Sequence, residues 1–228
     1  MDNRRRMMLA SGISVSSILE ENDWKTISKI SKEALAAEYW KIGDTKTFVM
    51  GGYTYHAQIV GFDHFAVQDS ASYGRTRAGI AFQFKECHPT TVQGIMENWY
   101  TAVRVSTNNL IPNIPTDLQN VMQSVLVYYC PSTNSTSLSS TYEKLFVPSA
   151  MELANKPSGA YSQKDGTQLA FYKAGNSLVK YRVGTSSARI WYTRSWIGGG
   201  QQLYMVTTSG NVTSSGVASN YLAPIFCV

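Results

Sequence analysis

Hydrophobic and polar positions alternate in short runs along most of this chain, with turn residues between them. Lys46 to Met50, Gly51-Gly52 and Tyr53 to Phe62 read as a hairpin, because two glycines tolerate the positive φ that a two-residue turn demands. In its second strand Tyr53, Tyr55, Ala57, Ile59 and Gly61 alternate with Thr54, His56, Gln58, Val60 and Phe62, so one face is half buried. Gly79 to Cys87 reads as a further strand with Ile80, Phe82 and Phe84 inward, stopped by His88-Pro89. Val125 to Tyr129 is apolar enough for a strand, and Leu145-Phe146-Val147-Pro148 returns to the core. Gln168 to Lys173 and Ser177 to Val183 read as short strands around Ala174-Gly175-Asn176. The closing series is Ile190 to Trp196, Gln201 to Thr207 and Leu222 to Val228, interrupted by Gly198-Gly199-Gly200 and by Ser209-Gly210-Asn211.

Helical spacing is confined to the first half. Asp23 caps a helix predicted from Trp24 to about Glu38, with Ile27, Ile30, Ala34 and Leu35 on one face and Lys25, Lys29, Lys32 and Glu33 on the other. Val92 to Leu110 repeats apolar residues at Ile95, Trp99, Ala102 and Val103 until Pro112 and Pro115 break the pattern. Thr116-Asp117-Leu118-Gln119 has the form of a capping box, opening a short helix to about Gln123. Asp63 to Arg77, Pro131 to Thr141 and Ala154 to Gly166 read as polar loops. With no internal repeat and no linker, the pattern predicts one α+β domain at residues 23–228 behind an N-terminal arm at residues 1–22.

Composition narrows the class. A content of 43% hydrophobic and 15% charged residues in 228 describes a folded protein. The net charge is +5, yet Arg4-Arg5-Arg6 is the only basic run, and it suits an acidic neighbour as well as it suits a phosphate backbone. No nucleic-acid-binding motif accompanies it, so no specific nucleic-acid partner is expected. Met7-Met8-Leu9-Ala10 behind the arginines imitates a signal peptide, but Ser11, Gly12, Ser14, Ser16 and Ser17 interrupt it and the segment is read as uncleaved. No run approaches the ~18 apolar residues of a membrane span, so no membrane insertion is expected. Cys87, Cys130 and Cys227 are odd in number and lack CxxC spacing, which fits a reducing compartment rather than a disulfide framework.

Candidate chemistry is sparse. Cys87 and His88 are adjacent in an extended segment, so their side chains point apart and cannot form a dyad. Cys227 stands among Ile225, Phe226 and Val228, where a thiol serves as a small buried hydrophobe. His56, His64 and His88, with Asp63 or Asp69, show no metal-ligand spacing, and no acid follows Asp165 to build a calcium site. The expectation is therefore a non-enzyme without metal or cofactor. Arg194, between Trp191 and Trp196, fits either a clamp for a ligand carboxylate or a buried structural ion pair, with the second favoured. The C-terminal third is dense in Tyr, Trp, Ser, Asn and Gly, a mixture that favours contact over catalysis. Because alternating residues face opposite sides of a sheet, about half of Tyr192, Trp196, Tyr204 and Tyr221 are expected at the surface.

Several separated segments occur in a distinctive order. Trp40-Lys41-Ile42-Gly43-Asp44-Thr45-Lys46 follows the first helix, and Ile59-Val60-Gly61-Phe62-Asp63 ends the hairpin. Then come LIPNIPTDLQ at Leu110 to Gln119, Lys144-Leu145-Phe146, Tyr192-Thr193-Arg194-Ser195 and the terminal Ala223-Pro224-Ile225-Phe226-Cys227-Val228. Over about residues 23 to 228 this order resembles an uncharacterised domain family of Gram-positive gut bacteria and their phages and prophages, with a C-type-lectin-like fold. The opening MDNRRRMMLASG is similar to the start of phage structural proteins that carry such a domain.

The resemblance implies a twisted antiparallel sheet flanked by two main helices, with long loops near the C-terminus. By analogy with lectin-like relatives, the ligand-binding positions are Tyr192, Trp196, Gln201, Gln202, Tyr204, Asn211, Asn220 and Tyr221. It further implies a virion protein made in the bacterial cytoplasm, which adheres to a glycan or protein on a bacterial or mucosal surface. Arg4, Arg5 and Arg6 would fix it to other virion proteins. The alternative is a decoration or minor structural protein of the capsid or tail, stabilising the particle with little ligand binding. A homo-oligomer is left open, since no heptad pattern specifies one.

Overall fold

The computed structural model describes residues 14–93, 103–132, 134–159, 161–197, 202–214 and 219–228. Along the chain the strands are β1 (Thr45–Met50), β2 (Tyr53–Phe62), β3 (Ile80–Phe84), β4 (Val92–Gln93), β5 (Val125–Tyr129), β6 (Ser139–Glu143) and β7 (Leu145–Phe146). After them come β8 (Lys180–Tyr181), β9 (Ala188–Arg189), β10 (Trp191–Trp196), β11 (Leu203–Val206), β12 (Val212–Ser214), β13 (Ser219–Asn220) and β14 (Ile225–Cys227). Short helices lie between them, and all the pairings between these strands are antiparallel, so the architecture is mixed with mostly antiparallel sheets.

The main sheet has the order β1-β2-β3-β14-β7. Its first hairpin forms as the pattern predicts: Met50 faces Tyr53 across Gly51 and Gly52, whose φ values of 58° and 79° a side chain would oppose. The C-terminal strand lies inside this sheet, with Phe226 opposite Phe82 in β3 and opposite Leu145 in β7. Both faces of β14 are covered, which is why Ile225, Phe226 and Cys227 form a continuous apolar run instead of an alternating one. On one face Trp24, Phe48, Tyr55, Phe82, Phe84 and Phe226 form a buried aromatic cluster, with Phe82 stacked on Phe226 at 5.3 Å and Trp24 edge-on to Phe82 at 5.5 Å.

Trp24 brings the first helix onto that cluster. The Trp24–Lys32 helix is capped by Asp23, whose carboxylate accepts from Thr26 N at 2.6 Å. It stops short of the predicted Glu38 because Ala34 adopts a left-handed φ of 61°. The amides of Ala34 and Leu35 turn back to the carbonyls of Ser31 and Ile30, a Schellman-type ending that points Leu35 into the core. Residues 14–22, assigned to the arm from sequence, pack on the body: Trp40 Nε1 donates to the Ser16 carbonyl, and Leu19 is buried.

Other elements depart from the pattern. Gln168 to Lys173 is not a strand; Ala170–Lys173 is helical, because Leu169 and Tyr172 are buried at a spacing of three. Of Ser177 to Val183 only Lys180–Tyr181 is strand, paired with β9, and Arg182 adds a single bridge to Cys87. Val92–Gln93 is strand, paired with β13, and Val103–Asn108 is helix; the intervening 94–102 lie outside the described residues. The Thr116–Gln119 helix forms, but Pro115 takes the cap position and Gln119 Nε2 donates to the Ile114 carbonyl, so no capping box closes. The capping box is at Ser149, whose hydroxyl accepts from Glu152 N at 3.1 Å while Glu152 Oε2 accepts from Ser149 N at 2.9 Å. Among the described residues no helix is long and apolar enough to cross a membrane.

Candidate functional site

The sheet β10-β11-β12 and its turns hold Tyr192, Trp196, Gln202, Tyr204 and Asn211 of the positions expected to bind ligand, and divide them. One edge of β10 pairs with β11; on the other edge Tyr192 N donates to the Tyr221 carbonyl and Arg194 N to the Pro148 carbonyl. With both edges occupied and both faces covered, all of β10 is buried: Tyr192 is 1% and Trp196 3% exposed. Neither presents a surface to a ligand. Asn220 is buried as well, its amide against the Met205 sulfur at 3.8 Å.

Gln202 and Asn211 are exposed, and Tyr204 and Tyr221 half-buried. Tyr204, on β11, stands opposite Ser214 of β12 with the Lys156 ammonium 6.0 Å from its ring, and Asn211 lies further along, in the turn from β11 to β12. Asn211 helps to hold that turn, its amide N donating to Thr207 Oγ1 and its side chain to Ser209 Oγ. Tyr221 stands across β10 with the Arg189 guanidinium 5.3 Å from its ring, apart from Tyr204. Gln201, Arg4, Arg5 and Arg6 lie outside the described residues.

Arg194 resolves the choice left open by the sequence. Its Nε donates to the Tyr128 carbonyl; Nη1 donates to the Val147 carbonyl and Glu152 Oε2; Nη2 donates to Glu152 Oε1 and the Asp165 carbonyl. All five guanidinium protons are thus committed inside the protein, and none remains for a ligand carboxylate. Arg194 and Glu152 are each 1% exposed, so removing either partner would strand a buried charge at a cost of about 3–5 kcal/mol.

Asp165 completes this buried group. Ser195 Oγ donates to its Oδ2 at 2.6 Å and itself accepts from Ala150 N, while Oδ1 has no hydrogen-bond partner. Burial pushes its carboxyl up to about 6, against the opposing pull of the Arg194 charge.

Above this group lies a cleft of about 200 Å³. His64, Phe65 and Arg77 contribute from the loop between β2 and β3, Leu126 and Tyr128 from β5, and Thr167 from the segment after Asp165. Glu152, Asp165 and Arg194 form its base. Gly166 keeps the floor thin: a Cβ there would stand 2.7 Å from Glu152 Cγ. Burial lowers the His64 pKa from its ordinary 6.5, so the ring is neutral at pH 7, with a hydrogen bond to the Thr167 backbone. Sequence reasoning missed this cleft. Its residues are far apart in the chain, and their one local signal was the Ser149-x-x-Glu152 pattern.

The thiols do not line the cleft and are inert. Burial pushes Cys87 up to about 12 and also raises Cys130 and Cys227, which keeps all three protonated at neutral pH. Among the described residues no group of three or more His, Cys, Asp or Glu side chains is placed to hold a metal ion.

The profile of DUF6273, a domain of unknown function, matches residues 97–228, more than half of the chain. The chain belongs to this family. No curated protein and no solved structure matches it. The DUF6273 segment supplies Tyr128, Glu152, Asp165, Thr167 and Arg194 to the cleft, whereas His64, Phe65 and Arg77 precede that segment. The main sheet is divided in the same way, with β1, β2 and β3 outside the DUF6273 match and β7 and β14 inside it.

Proposed function

We propose that this chain is a non-enzymatic recognition protein: a C-type-lectin-like body, carried on a phage particle, that attaches the particle to a glycan or protein on a bacterial or mucosal surface. The observation that carries the reading is the half-exposed Tyr204 on β11, with Lys156 against its ring, in a strand paired to the fully buried β10, with Gln202 and Asn211 exposed beyond the two ends of β11. Aromatic rings with adaptable polar neighbours bind by shape and contact and need no reacting group. A lectin-like body is supported by the antiparallel main sheet, the Trp24–Lys32 helix against it and the loop-rich C-terminal third. The place on a particle rests on the likeness of MDNRRRMMLASG to phage structural proteins.

The test is binding of the purified full chain to intact bacterial cells and to disassembled virion components. Adhesion predicts cell binding that Tyr204→Ala reduces at least tenfold with the melting temperature unchanged. It also predicts that Arg4, Arg5 and Arg6 changed together to Ala release the chain from particles but leave cell binding intact. Binding to virion components alone would overturn adhesion in favour of a decoration protein.

A further inference from the structure

We infer that the cleft between the β2–β3 loop, β5 and Thr167 binds one neutral, hydroxyl-bearing ring of monosaccharide size. This inference rests on the recognition reading and names a ligand class and a second site for it. Size comes first. At about 200 Å³ the cleft falls below the roughly 300–1,000 Å³ usual for drug-sized ligands, and it suits one ring with its substituents.

Charge narrows the class. Arg77 and Arg194 face Glu152 and Asp165 around one small space, so the formal charges balance. An anion would meet Glu152 and Asp165 as well as Arg77, and a cation would meet Arg77 and Arg194 as well as the carboxylates; a neutral ligand meets neither repulsion. The polar groups suit hydroxyls, which donate and accept at once. Arg77 is exposed and gives one guanidinium proton to the His64 carbonyl, and its other protons are available as donors. With its ring neutral, His64 has one nitrogen that can only accept, and the exposed Thr167 hydroxyl does both.

One wall is aromatic. Tyr128 is 45% exposed at the cleft, and its carbonyl is held by Arg194 Nε at 2.9 Å, so its backbone is fixed from beneath while the ring remains open to solvent. An aromatic face pays little conformational entropy on contact and packs against the C–H face of a saturated ring. The buried Arg194–Glu152–Asp165 group contributes rigidity here, and ligand contact falls to Arg77, His64, Thr167 and Tyr128.

The experiment is saturation-transfer NMR and calorimetry on the purified full chain. Its probes are glucose, galactose, mannose and N-acetylglucosamine, against anionic glucuronate, cationic glucosamine and inorganic phosphate. At least one neutral sugar is expected to bind and to shift the His64 ring signals, with Tyr128→Ala and Arg77→Ala each weakening it at least tenfold at an unchanged melting temperature. Tyr204→Ala should leave this binding intact. The inference is overturned if no neutral sugar binds at millimolar concentration, if glucuronate, glucosamine or phosphate binds as well, or if binding occurs without a shift at His64. Should either cleft variant fail to fold, the His64 shift decides alone. Sugar binding without cell binding would sink the adhesion reading and leave the cleft assignment standing; cell binding without sugar binding would do the reverse.

Discussion

Ala34 occupies a backbone conformation that disfavours any Cβ, with φ of 61° at the end of the first helix. Left-handed geometry costs an L-residue about 1–2 kcal/mol, and glycine's extra freedom in the unfolded chain recovers only part of that on substitution. Ala34→Gly is therefore expected to stabilise the protein by about 0.5–1 kcal/mol, seen as a higher melting temperature in calorimetry. Asp165 gives a pH signature. Its folded pKa of about 6 lies above the ordinary 3.8, so the native state holds this proton more tightly than the unfolded chain does. Stability from that proton is fully present below pH 3.8 and is lost as pH rises through about 6. Relative to Asp165→Asn, the unchanged protein should gain about 1 kcal/mol between pH 7 and pH 5 in urea unfolding. Equal shifts in both proteins would place the titration elsewhere.

Among the elements, the Ala150–Ala154 helix depends most on one side chain. Ser149 closes its capping box, and the same Glu152 that answers it holds Arg194. Ser149→Ala is expected to cost about 1 kcal/mol or somewhat more, measured by chemical denaturation, because the capped amide is buried. The first hairpin was legible from sequence because Gly51-Gly52 states a local backbone requirement. The burial of β10 was not. Trp191 to Trp196 reads as half polar, but Thr193 donates to the Tyr204 carbonyl, Arg194 to four acceptor residues and Ser195 to Asp165, so its polar side chains are answered inside. Partners dozens of residues away convert a surface pattern into a core one. The cleft escaped notice for a related reason: each of its walls looks ordinary within its own segment.

For the whole molecule, the DUF6273 match at residues 97–228 is smaller than the structure that buries its strands. β14 lies between β3 and β7, and β3 precedes the match. A fragment of residues 97–228 would expose the apolar edge of β14, and it is expected to give a collapsed, poorly dispersed amide NMR spectrum where the full chain gives a dispersed one. A dispersed spectrum from the fragment would mean that the family segment closes its own sheet. The same topology governs how the chain emerges from the ribosome. Gln83 meets the Ala223 carbonyl 140 residues further on, a delay on the order of ten seconds at bacterial or eukaryotic elongation rates. Through that interval β3 has one unfilled edge, so the nascent first half is a candidate for chaperone capture until β14 emerges to fill it.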